Sequence, residues 1–160
     1  MNTMMRILAV RLILLFAFVG ILCLQKVSAQ LSRIDSLKLE LAEGKNNRAR
    51  VELLNRLSEA YLLSNPDSAI IAGNEAVDLS LEMEDPVMIV HSVVTLVQAY
   101  KNSALYDLGV ALVYNTLENP SINTRKKLKA KLLYELGELN RSSSQFDEAI
   151  LVTVEALGIY

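Results

Sequence analysis

Leu133 to Leu157 reads LYELGELNRSSSQFDEAILVTVEAL. Two apolar patterns with helical spacing flank a short polar turn. The first carries Leu133, Leu136 and Gly137 as L-x2-L-G, and the second carries Phe146, Ala149, Ala156 and Leu157. Small residues at Gly137, Ala149 and Ala156 allow two antiparallel helices to approach closely. Phe146, just past the turn, is placed to plug the gap between their ends. The stretch therefore predicts one helical hairpin.

This hairpin resembles one tetratricopeptide repeat, whose signature runs W-x2-L-G-x2-Y, then A-x3-F, then P. The rest of the chain divides into earlier copies of it. The small residue of each second helix falls at Ala69, Gly109 and Ala149, 40 apart both times. The end of each first helix falls at Tyr61, Tyr100 and Asn140, spaced 39 and 40. The L-x2-L pairs are Leu54/Leu57, Val93/Leu96 and Leu133/Leu136. A fixed period of this length marks stacked helical hairpins. The usual repeat has about 34 residues, and the surplus here lies around Met83 to Pro86 and Asn119 to Thr124. HEAT-like helix pairs are the competing architecture, since about 40 residues suits their length. No repeat has the signature tryptophan, and Gly73, Val113 and Thr153 stand where the second helix carries its aromatic. The resemblance implies an all-α fold, a right-handed solenoid of about three antiparallel helix pairs after an N-terminal signal helix. Residues 47–76, with their SNPDSA turn, also resemble the start of the exported repeat region found before bacterial sensor kinases and helix-turn-helix regulators.

The boundaries come from helix signals. A short leading helix spans Ser32 to Leu41, with Gly44 as its stop, in a segment of residues 30–46. The repeats then occupy about 47–84, 85–119 and 120–160. Their first helices are predicted over Arg48 to Ser64, Pro86 to Asn102 and Thr124 to Arg141. The second helices run from Pro66 to Met83, Leu105 to Glu118 and Gln145 to Tyr160. Asn65-Pro66 and Asp85-Pro86 each supply an N-cap and a first-turn proline. Asn119-Pro120-Ser121 breaks the chain, and Ser144 with Asp147 forms the pattern of a capping box. The inner face of the Pro66 helix is read as Ala69, Ile70, Gly73, Ala76, Val77 and Leu81. Val87, Ile89, Val90, Val93, Val94 and Val97 crowd one predicted helix with β-branched residues, whose helical penalty is only tenths of a kcal/mol each.

Positions 1–29 read as a secretory signal. Arg6 and Arg11 make a basic start, Leu12 to Leu24 is apolar, and Val27-Ser28-Ala29 ends in V-x-A, with cleavage expected after Ala29. The alternative is an uncleaved anchor, since Ile7 to Leu24 is marginally long enough to span a bilayer. Either route puts the remainder outside the cytoplasm of a bacterium, in the periplasm or at the membrane. The chain has 160 residues, 16 basic and 18 acidic, and a formal charge of -2. Arg6, Arg11 and Lys26 fall within positions 1–29, which hold no acid, so the remainder has 13 basic against 18 acidic residues. That balance argues against nucleic-acid binding, which needs phosphate neutralisation. The single cysteine, Cys23, lies in the apolar run, so residues 30–160 offer no thiol chemistry.

A search for catalytic motifs returns no phosphate-binding glycine loop, no H-E-x-x-H and no nucleophile elbow. His91, the single histidine, has no neighbouring acid and reads as a structural or groove residue. Glu135 and Glu138 read as ordinary surface carboxylates, and Arg125, Lys126, Lys127, Lys129 and Lys131 as a solvated basic face. The expectation is a non-enzyme with no cofactor and no metal. What remains is a surface. In stacked hairpins the first helices line the concave side, where peptides dock. The candidates there are Asn55, Glu59, Gln98, Lys101, Tyr134, Glu138 and Arg141. Their charge is mixed, and the expected partner is a protein or peptide. Membrane contact is expected only through the N-terminal segment, if it stays uncleaved.

The last helix carries Leu151, Val154 and Leu157, and no later segment of the sequence covers them. The expectation is a piece of a longer polypeptide, or self-association through this helix. The leading function is a protein-binding scaffold. The alternative is the sensory N-terminal region of a larger signalling protein, such as a histidine kinase or DNA-binding regulator.

Overall fold

The computed structural model describes residues 30–44 and 46–159; positions 1–29, read above as a secretory signal, lie outside them. Helix α1 covers residues 30–42. It is followed by α2 (Asn47–Tyr61), α3 (Pro66–Glu82), α4 (Pro86–Asn102), α5 (Tyr106–Leu117), α6 (Pro120–Asn123), α7 (Lys126–Ser142) and α8 (Phe146–Gly158). Among the described residues there is no strand. Residues 37–160 form one compact unit, and the segment up to Ser36 belongs to another. Within the larger unit, α2 packs on α3, α4 on α5 and α7 on α8. The pairs are joined by α3 against α4 and by α5 against α7, while α2, α4 and α7 also meet side by side. This is a right-handed solenoid of three antiparallel pairs.

The caps are local chemistry. Asn46, Asn65 and Asp85 each accept a backbone N–H of the first helical turn, from Ala49, from Ser68, and from Val87 and Met88. Gly44 ends α1 with φ +69°, which a glycine adopts without steric cost. The other left-handed residues are Glu84, Ala104 and Ser144. Ala104 and Ser144 hold the same turn 40 residues apart: the Leu105 N–H donates to the Tyr100 carbonyl at 2.9 Å, and the Gln145 N–H to the Asn140 carbonyl at 2.8 Å. In the first pair, the Asn65 N–H reaches the Tyr61 carbonyl at 2.8 Å instead. That turn is one residue tighter, which is why the first helices are offset by 39 and then 40.

Four expectations need correction. Phe146 does not plug the gap between the ends of α7 and α8 but stays 59% exposed. The capping box at Ser144 and Asp147 does not form, because Ser144 takes the left-handed turn position and α8 starts from Gln145 without a side-chain cap. The break at Asn119-Pro120 is a helical turn, α6, capped by the Asn119 side chain and driving Ile122 fully into the core. Leu81 lies outside the inner face of α3, 48% exposed, and Ser80 is buried in its place with its hydroxyl donating to the Val77 carbonyl.

Helix α4 shows why its β-branched run is helical. It is wrapped by α2 and α3 on one side and by α5 and α7 on the other. Val90, Val93, Val94 and Val97 are all buried in the main core cluster, together with Leu132, Leu136 and Leu139 of α7. Burying each such side chain contributes about 1.5–3 kcal/mol, well above its propensity penalty. A smaller cluster of Val51, Leu54, Ala76 and Met88 holds the first pair, with Leu41 from the end of α1 against it.

Candidate functional site on the inner helices

The first helices, α2, α4 and α7, put Glu59, Gln98 and Glu138 at equivalent places, 39 and 40 residues apart. Glu59 is exposed, while Gln98 and Glu138 are half-buried. The polar groups concentrate at the α7 end of this row. The Arg141 guanidinium forks onto the Glu138 carboxylate, with Nη2 at 2.6 Å from Oε2 and Nε at 3.1 Å from Oε1. This bidentate hydrogen bond holds the Glu138 carboxyl below the usual glutamate range and raises the guanidinium further. Lys101 of α4 adds to the same field. Tyr134, one turn before Glu138, leaves its ring 56% exposed. Lys101, Tyr134, Glu138 and Arg141 thus stand as one cluster across α4 and α7.

Asn55 does not belong to the surface. It is 1% exposed, and its amide donates to Ser92 Oγ at 3.1 Å, joining α2 to α4. Its spacing explains this. Val51 lies four residues before it and Ser58 three after, both at 0% exposure, so Asn55 shares their buried stripe. Its Oδ1 makes no hydrogen bond.

Glu135 is the group the sequence reading missed. It is only 9% exposed, and desolvation pushes its carboxyl above the usual range, against the attraction of Lys101 and Lys131. The signal was present: Leu132 lies three residues before it and Leu139 four after, both fully buried. His91 is exposed on α4. Among the described residues no group of three or more His, Cys, Asp or Glu side chains is arranged to hold a metal. The basic face of α7 is solvated apart from Lys129, which pairs with Glu155 of α8 at 3.0 Å.

The site therefore offers rigid helices and paired charges beside an aromatic ring. The family model described as the SusR N-terminal TPR domain matches residues 25–129, well over half of the chain. The chain belongs to this SusR-type tetratricopeptide repeat family. The match ends inside α7, so the third pair rests on the structure. A search of the curated proteins gives no match. Among solved structures, aspartyl phosphate phosphatase F from Bacillus subtilis is similar at a TM-score of 0.65 and 14% identity. The likeness covers 82% of this chain but 38% of that one, so the chain spans well under half of that protein, and the shared property is the fold. SusR-type repeats are interaction scaffolds, and the repeat fold is generally non-catalytic.

Proposed function

We propose that this SusR-type domain is a non-catalytic scaffold that binds a protein or peptide along α2, α4 and α7, outside the bacterial cytoplasm. The observation that carries the reading is the Lys101, Tyr134, Glu138 and Arg141 cluster, held on helices whose opposite sides are locked into the core. Such a cluster suits a segment carrying both charges and an apolar side chain, because the mixed charges set orientation while the ring supplies contact area. Export rests on the basic, apolar and V-x-A order of positions 1–29. Among the described residues no helix is long and apolar enough to cross a membrane.

A photo-crosslinking residue at Gln98, introduced in the native host, tests the scaffold. A discrete adduct from Gln98, absent from the same probe at Ile71 (68% exposed on α3), supports docking on the inner row. Equal labelling at both positions, or none, removes the proposal. N-terminal sequencing of the exported protein tests cleavage after Ala29.

The second reading is the sensory N-terminal region of a larger signalling protein. The family's designation as an N-terminal domain supports it. An antibody against residues 30–160 distinguishes the two. A small periplasmic species supports the stand-alone scaffold, and a much larger membrane-bound species supports the receptor.

A further inference from the structure

The outer face of α8 is apolar and uncovered by any described element. Phe146, Ile150, Val154 and Leu157 are 59–69% exposed. Among α8 residues only Ala149 and Ala156 are buried. Two adjoining cavities follow the groove between α7 and α8. One, of about 300 Å³, lies at Glu138, Arg141 and Phe146; the other, of about 380 Å³, lies at Lys127, Lys131 and Leu157; both reach Thr153.

The molecule shows what fits such a groove. Forty residues earlier, the equivalent groove between α4 and α5 is filled by α7, through Leu128, Leu132, Leu136 and Leu139. Val94 there is 7% exposed, whereas Tyr134, its counterpart, is 56% exposed. The filling leucines are spaced four, four and three. Phe146, Ile150, Val154 and Leu157 carry that same spacing, so α8 has the pattern needed to fill a groove like its own. The direction is fixed as well. Gly109, near the start of α5, approaches Leu139, near the end of α7, so the filling helix runs antiparallel to α5.

We propose that a second copy of this chain covers this face, with the two α8 helices antiparallel about a two-fold axis, each lying in the other's α7–α8 groove. Charge selects this arrangement. Asp147 and Glu148 are exposed in the first turn of α8, and Lys127 and Lys131 are exposed beside Leu157 at the opposite end of the groove. Antiparallel docking brings the second copy's Asp147 and Glu148 to Lys127 and Lys131, and two-fold symmetry makes the same pairs twice. Parallel docking would bring them to Glu138 and Arg141, whose charges already neutralise each other at 2.6 Å. The same groove holds Tyr134, Glu138 and Arg141, so a second copy would compete with the proposed partner for these three residues while Glu59 and Gln98 stay open; the α8 face, not that cluster, carries the dimer.

Sedimentation of the full chain tests the proposal. The expected species at about 100 µM is a dimer. Val154→Glu, at a position 62% exposed in the single chain, is expected to leave the far-ultraviolet circular dichroism unchanged and weaken association at least ~30-fold. Lys131→Glu is expected to weaken it as well, and Lys131→Glu combined with Glu148→Lys to restore it. A monomer at that concentration overturns the proposal. A dimer indifferent to Val154→Glu overturns it too, because association then runs through a different surface. A dimer that loses to Val154→Glu but is not restored by the charge swap overturns the antiparallel arrangement.

Discussion

Glu135 and Ala104 are each held in a conformation or environment that their chemistry resists. Glu135 has its carboxyl raised above the usual range by burial, so the folded state binds a proton more tightly than the unfolded chain does. Its stability contribution is therefore best at low pH and declines as pH rises from the ordinary glutamate range through the raised value. Glu135→Gln is expected to be more stable than the parent at pH 7. Urea denaturation at pH 7 and near pH 4 checks this: the gain should shrink at the lower pH, and an unchanged gain would mean that charge burial is not its cause. Ala104 and Ser144 occupy left-handed backbone at φ 56° and 65°, a conformation that costs a side-chain-bearing residue roughly 1–2 kcal/mol. Ala104→Gly relieves this but loosens the unfolded chain, for a net gain of roughly 0.5 kcal/mol. A calorimetric scan reads that gain as a rise in Tm.

At the scale of the element, Asp85 joins two tasks. It caps α4 through the Val87 and Met88 N–H groups and lies 3.4 Å from Arg48 of α2. Asp85→Ala is expected to cost about 1 kcal/mol, mostly through the cap; an Arg48→Ala variant, measured alongside by urea denaturation, separates the ion pair. The helices themselves were legible in the sequence, because Asn65-Pro66 and Asp85-Pro86 are strong starts and the leucine spacing of α7 is regular. Two local features were not. The Ser144 box failed because the 40-residue repeat of the Ala104 turn outweighs a weak cap. The α6 turn was hidden because Asn119-Pro120 was read as a break although it is the same cap-and-proline start as Asn65-Pro66, and only the core tells where Ile122 goes. Of the site, Glu138 and Arg141 were named as inner-face candidates, and their one-turn spacing is what lets the two side chains pair. Asn55 was misplaced because it is polar, although its neighbours at Val51 and Ser58 place it inside.

For the whole molecule, cohesion falls toward the last helix. Helix α4 is packed by α2, α3, α5 and α7, while α8 packs on α7. Solenoid stability is a sum of such neighbour terms. Amide hydrogens of α8 are therefore expected to exchange at least ~10-fold faster than those of α4 in dilute native protein. Equal protection in native-state exchange followed by mass spectrometry would mean that the three pairs unfold as one body.

The close approaches between pairs have a consequence for how such an array can change length. Gly73 admits Leu96 between α3 and α4; Gly109 admits Leu139 between α5 and α7, and the counterparts of these last two, forty residues earlier, are Ala69 and Ala99. The hollow thus sits four residues earlier in the second joint than in the first. An in-frame loss of one 40-residue unit, residues 86–125, would join α3 to α7 and press Leu139 against Ala69, whose methyl group stands where Gly109 leaves space. The units look alike yet are not interchangeable, so their order along the gene is recorded in the shapes of their joints.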